Sequence, residues 1–169
     1  MSSARLILLA SLVLILGPST VSAQGKGLVT QKALSLEMAQ AIIQGTVERC
    51  RADGFSVSVS IVDASGLLKA FLRDEGNGPH TIDLSRRKAY TALTFASRFP
   101  TSLAFATARG STLGSPMPNV EGTVGVGGGV PIKVGDVAIG AVGVSGAVGG
   151  DKDEVCAHAG IAKVAHLLK

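Results

Sequence analysis

The stretch "FSVSVSIVD" constrains the fold more than any other part of the chain. Phe55, Val57, Val59 and Ile61 alternate with Ser56, Ser58 and Ser60. Side chains point to opposite faces with a period of two only in an extended strand, so the pattern predicts a strand with one apolar and one hydroxylic face. The turn residues "DASG" follow at once, and "LLKAFLR" continues as a second strand. Two strands alone are marginal in water, so the hairpin must join a larger sheet. The serine face is then either wet or covered by something other than a greasy helix.

The remaining elements arrange themselves around that hairpin. Ser35 is a favourable N-cap for a helix predicted to run to about Ala52, with Leu36, Ala39, Ile43, Val47 and Cys50 as its apolar stripe. Thr81 to about Ala96 predicts another helix, which Thr81 can cap. Ile82, Ala89, Leu93 and Ala96 form its expected core stripe, and Leu84, Lys88, Thr91 and Phe95 a second one. Phe99-Pro100 breaks it, Thr101 or Ser102 starts a short helix to Ala108, and residues 109–122 read as loop. "TVGVGGGVPIKV" and "VAIGAVGVSG" are predicted strands joined at Gly135-Asp136, and Asp151 or Asp153 is expected to cap a final helix ending near Lys169. Strands linked by tight turns favour an antiparallel sheet with helices packed on it, an α+β layer fold. No internal repeat interrupts this order.

The N-terminus is set apart from the fold. Arg5, an apolar run from Leu6 to Leu16 and a polar tail ending in Val21-Ser22-Ala23 have the layout of a secretory signal peptide, residues 1–23. The apolar run is about half of the roughly 20 residues a membrane-spanning helix needs. Residues 24–33 are then a flexible lead-in and 34–169 a single domain, with no membrane span after signal removal. The expected location is periplasmic or extracellular. Losing Arg5 takes the formal charge from +4 to +3, Trp is absent and Tyr90 is the one tyrosine, so no basic, aromatic-laced surface offers itself to nucleic acid. In an oxidising compartment Cys50 and Cys156 either pair or serve as small buried hydrophobes. Pairing requires the end of the first helix to meet the start of the last.

Few residues promise chemistry. "GVGGGVPI" lacks the Gly-Lys-Ser/Thr of a phosphate loop, and "GVSGA" has Ala147 where a nucleophile elbow has its second glycine. His158 and His166 lack metal-ligand spacing and read as structural or solvated. His80 differs, because Pro79 stiffens its position, a helix N-terminus follows, and Arg73, Arg86, Arg87 and Lys88 add positive charge. That setting suits a planar dianionic ligand, with the Leu84/Lys88/Thr91/Phe95 stripe as one wall. A solvated loop histidine is the plainer reading of composition and spacing alone.

"VSIVDASGLLKAFLRDEGNGPHTIDLSRRKAYTALTF" and "VGGGVPIKVGDVAIGAVGVSGAVGGDKDEVCAHAG" together resemble the GlcG/HbpS family of haem-binding proteins, with "RDEGNGPHT" closest to its exported, haem-linked branch. The resemblance implies a profilin-like fold: an antiparallel sheet of about five strands flanked by helices, in homo-oligomers. It also implies non-covalent haem as cofactor, haem degradation in some members, and redox or iron-stress signalling through a sensor kinase or another envelope partner in one branch. On the family's motifs His80 is the candidate axial ligand of the haem iron. Lys88 is a candidate partner for a haem propionate. Tyr90, Thr81, Thr91 and Arg73 are further polar candidates, and Met117 a second axial candidate. Tyr90 lies on a different side of its helix from Lys88, so both touch one ligand only at a subunit junction. The alternative is a small enzyme or binding protein for a small carboxylate in an oligomer-interface pocket. There Arg73 or Lys88 would hold the carboxylate and His80 would act as acid/base.

Overall fold

In the computed structural model, which describes residues 27–111 and 120–169, the hairpin strands are β1, Ser58–Asp63, and β2, Leu68–Arg73. A second hairpin pairs β3, Gly129–Val134, with β4, Val137–Ser145. Its turn uses Gly135 at φ 58°, a left-handed backbone open to glycine without a Cβ clash. All pairings are antiparallel and the order is β2-β1-β4-β3. Pro131 sits in β3, an edge strand of this sheet, where a missing N–H is tolerated.

The described residues thus hold four strands, where about five were expected. The fifth rested on the family resemblance, and the strand expected over Thr123–Val134 starts only at Gly129, leaving Thr123–Gly128 outside the sheet. Side chains take the place of a neighbouring strand there. Thr91 Oγ1 accepts from the Val124 amide at 2.8 Å, and Glu154 Oε1 accepts from the Gly128 amide at 3.1 Å.

Helices cover both faces of the sheet. α1 (Leu36–Ala52) and α4 (Gly150–Lys163) pack on one face, and α2 (His80–Thr94) on the other, beside α3 (Ser102–Ser111). A 3₁₀ turn, Ala165–Leu167, follows α4, so that helix ends earlier than its apolar spacing suggests. Val57, Val59 and Ile61 enter the core beneath α1 and α4 with Val142, Val144 and Ile132. Ser35 caps α1 through the Met38 amide, as its sequence position predicts. The α1 stripe is rotated from the expected one: Leu36 is 53% exposed, while Ile42 and Thr46 are fully buried. The α4 cap is Gly149 without a side-chain bond, because the Asp153 carboxylate is turned inward.

The serine face is neither wet nor greasy. Ser58 and Ser60 are fully buried against α2 and meet its hydroxyls, Ser58 with Thr81 and Ser60 with Ser85, each at 2.8 Å. Thr81 donates to the Gly78 carbonyl and Ser85 to the Ile82 carbonyl, so the strand serines are the donors within each pair. Short side chains on both sides let the helix come close. A Cβ on Gly143 would run into the Ser85 carbonyl and the Ala89 amide. The buried stripe of α2 is therefore Thr81, Ser85, Lys88, Ala89 and Ala92, and Ile82, expected inside, is 43% exposed. Thr81 lies in the first turn rather than capping it; Pro79 is the N-cap.

On the other face α1 and α4 cross at glycine. A Cβ on Gly160 would strike the Thr46 hydroxyl and the Ile42 carbonyl, and one on Gly45 would lie 3.2 Å from the Gly160 Cα. The crossing brings the C-terminal end of α1 to the first turns of α4, and Cys50 and Cys156 form a disulfide there, both fully buried. Among the described residues no buried side-chain nitrogen or oxygen lacks a hydrogen-bond partner, and no helix is long and apolar enough to cross a membrane.

Candidate functional site

The "RDEGNGPHT" loop is fastened before it delivers His80. Arg51 of α1 grips the buried Asp74 carboxylate with two N–H···O bonds, at 2.9 and 2.6 Å, and holds it well below the usual carboxylate range. Arg73 donates to the Asn77 carbonyl. Asn77 is the keystone: its Nδ2 donates to Ser58 Oγ at 3.2 Å and to the Ser145 carbonyl at 3.0 Å, while its Oδ1 accepts from the Gly78 amide. One side chain thereby ties the loop to both central strands. Sequence reasoning passed over it; an asparagine between two glycines was the available signal.

His80 opens α2 and is exposed. Its imidazole lies over Gly78, where a Cβ would stand 2.9 Å from Nδ1 and 4.0 Å from Nε2. No hydrogen bond or ion pair to a described residue engages the ring. His80, Leu84 and Lys88 follow at i, i+4 and i+8 along one side of the helix and line a cleft of about 410 Å³. The facing wall consists of Val126, Gly127 and the β4–α4 turn from Ser145 to Gly150. Gly127 and Gly150 are in contact, and a side chain on either would part them.

The floor of the cleft is a buried ion pair. Lys88 Nζ donates to Asp153 Oδ2 at 2.6 Å, with the two side chains 5% and 2% exposed. Asp153 Oδ1 accepts from the Ala147 amide at 3.0 Å, which fixes the turn into α4. Burial pushes the Asp153 carboxyl up to about 6, against the pull of the Lys88 ammonium and the Ala147 amide. Next to it Glu154 Oε1 accepts from the Leu103 amide at 2.7 Å and the Gly128 amide at 3.1 Å, pinning α3 and the glycine loop to α4. A Cβ on Gly128 would stand 2.8 Å from Lys88 Nζ, so the glycine leaves the ammonium its room.

Of the predicted site residues, the cleft gathers His80, Thr81 and Lys88. Thr81 serves structure, its hydroxyl spent between Ser58 and Gly78. Thr91 is spent on the Arg87 carbonyl and the Val124 amide, and Phe95 stacks on Phe105. Arg73 braces the loop and is not among the residues lining the cleft. Tyr90 stands on another side of α2, between hollows of about 740 and 410 Å³, with its ring against Gly66 and Gly122. Met117 lies outside the described residues, as does the predicted signal peptide. His158 and His166 are exposed, and no cluster of three or more metal-ligating side chains occurs among the described residues. Asp153 and Glu154 were missed, because acidic residues in a first helical turn read as caps and dipole partners.

The family model described as "Haem degrading protein HbpS-like" matches residues 34–162. The chain belongs to the HbpS-like family. A crystal structure of HbpS superposes with a TM-score of 0.74 at 33% identity, covering 84% of this chain and 97% of that one. A double mutant of Streptomyces reticuli HbpS gives 0.72 at 33% identity, over 86% and 97%. PduOC, solved as a haem complex, gives 0.67 at 28% identity, over 78% and 95%. No curated protein matches the chain. The matched residues 34–162 include the whole sheet and every residue that lines the His80 cleft.

Proposed function

We propose that the protein is an exported haem-binding protein that holds haem non-covalently in the cleft headed by His80. One observation carries the reading: an exposed imidazole without a partner among the described residues stands at the rim of a cleft with glycine and apolar walls. The residues fit the group. A histidine nitrogen is a common axial ligand of haem iron, Leu84 and Val126 offer apolar surface, and Gly127, Gly146, Gly149 and Gly150 let a flat ring approach the backbone. Bound there, haem would supply a redox-active iron and two carboxylates. The chain's part is to aim His80 through Asn77 and Gly78 and to present Lys88 at the floor. The larger hollow at Tyr90 suits haem less: of its arginines, Arg86 is paired with Asp83 and Arg87 donates to the Thr123 carbonyl.

Export is supported by the Cys50–Cys156 disulfide, a bond that persists in oxidising compartments. Assembly into homo-oligomers and haem degradation belong to the same proposal; degradation takes its support from the family description.

Hemin titrated into the protein is expected to give a shifted Soret band that saturates at a fixed stoichiometry. His80→Ala should lose the shift or change the charge-transfer bands, while His158→Ala leaves both unchanged. A hemin spectrum unchanged by stoichiometric protein would sink the proposal. Iron release under a mild reductant, insensitive to catalase, would add degradation to binding.

A further inference from the structure

The ion pair at the floor of the cleft has unused capacity. The Lys88 ammonium carries three N–H donors. Among the described residues its one hydrogen-bond acceptor is Asp153 Oδ2, although the side chain is 5% exposed and lines the cleft. The charged groups acting on Asp153 are Lys88 across the floor and Glu154 beside it in α4, and the His80 imidazole stands at the rim of the same cleft. Glu154 is occupied by the Leu103 and Gly128 amides. A second carboxylate arriving at Lys88 would find donors but would share one ammonium with Asp153. Two carboxylates sharing one ammonium at a buried site raise each other's proton affinity, so the arriving carboxylate favours uptake of a proton.

We propose that the cleft floor is a carboxylate subsite, in which Lys88 receives a carboxylate of the ligand while Asp153 takes up one proton. This rests on the binding function assigned to the same cleft. The carboxylate has two sources, a propionate of a porphyrin or a free small carboxylate, and the chemistry at Lys88 is common to both. The inward Asp153, already raised by burial, is the group that takes the proton. Asp153 keeps its Ala147 bond when protonated, since Oδ1 remains an acceptor, so the turn holds its shape.

The test compares hemin, hemin dimethyl ester and propionate by calorimetry, across pH and in buffers of different ionisation heat. Above a pH of about 6, hemin should weaken by up to about tenfold per pH unit and draw about one proton from solvent. The ester has no free carboxylate and reports the His80 contribution alone, so it should show neither effect. In Asp153→Asn the pH slope and the proton uptake should both disappear. Equal pH slopes for hemin and its ester, or an Asp153→Asn slope like the parent's, would overturn the subsite while leaving haem binding intact. If hemin fails to bind but propionate binds with proton uptake, the subsite stands and its ligand is a free carboxylate. Silence from all three ligands would overturn subsite and haem reading together.

Discussion

Replacing Cys50 and Cys156 together by alanine is expected to lower the unfolding free energy by about 3–5 kcal/mol, read as a fall in the urea midpoint with an enlarged m-value. The bond closes a loop with a sequence separation of 106, and cross-linking a loop of that length removes chain entropy from the unfolded state worth about 4–5 kcal/mol. The native state loses little packing, because both positions are small and fully buried beside the Gly45/Gly160 crossing. The m-value rises as an unlinked chain exposes more surface on unfolding. The same burial predicts that thiol reductants leave the folded protein oxidised until it opens. Rapid reduction under native conditions would contradict the geometry, and a loss under about 1 kcal/mol would contradict the entropy argument.

Lys88→Met should destabilise the fold by about 3–5 kcal/mol near neutral pH, because it strands the Asp153 carboxylate in the core without its counter-ion. The loss depends on pH in a defined direction. Burial already raises the Asp153 carboxyl above its unfolded value, and removing Lys88 takes away a group that opposes the rise. A carboxyl raised on folding binds its proton more tightly in the native state, so stability falls as pH climbs from the unfolded value through the folded one. The deficit is therefore largest at about pH 8 and shrinks toward about pH 5, where Asp153 is neutral. Urea titrations at both pH values measure it. Lys88→Met combined with Asp153→Leu should recover much of the deficit, since well-packed apolar replacements of a buried pair are often neutral or stabilising. A loss that does not change with pH would show that the lysine acts through its aliphatic stem alone.

Both effects turn on contacts between distant parts of the chain, and this separates what the sequence disclosed from what it withheld. The β1–β2 hairpin, the Gly135 turn and the Ser35 cap are local devices, and their residues announce them. The cleft is not local. It is made where α2, the Val126-Gly127 loop and the β4–α4 turn converge; the α2 side was legible, Leu84 and Lys88 from helical spacing and His80, Thr81 and Lys88 through the family's motifs, and the facing wall was not. Asp153 carries no mark that tells an inward carboxylate from a cap. The serines of β1 signalled an unusual face, yet the answer required Thr81 and Ser85 from a helix more than 20 residues on. Residues 123–128 misled for the opposite reason: their Val/Gly pattern suits a strand, and the Thr91 and Glu154 side chains bind their amides instead. The disulfide stood open at the sequence level because two cysteines cannot state their own distance; the α1–α4 crossing supplies it.

The His80 cleft, and not the larger hollow beside Tyr90, is expected to receive the ligand. Amide spectra of ¹⁵N-labelled protein with sub-stoichiometric hemin distinguish the two places, with zinc protoporphyrin as the diamagnetic reference. The predicted result is paramagnetic bleaching centred on His80, Leu84, Gly127 and residues 146–150, with Gly66, Tyr90 and Gly122 retained. Bleaching centred on Tyr90 and Gly122, with the His80 cleft unperturbed, would contradict it.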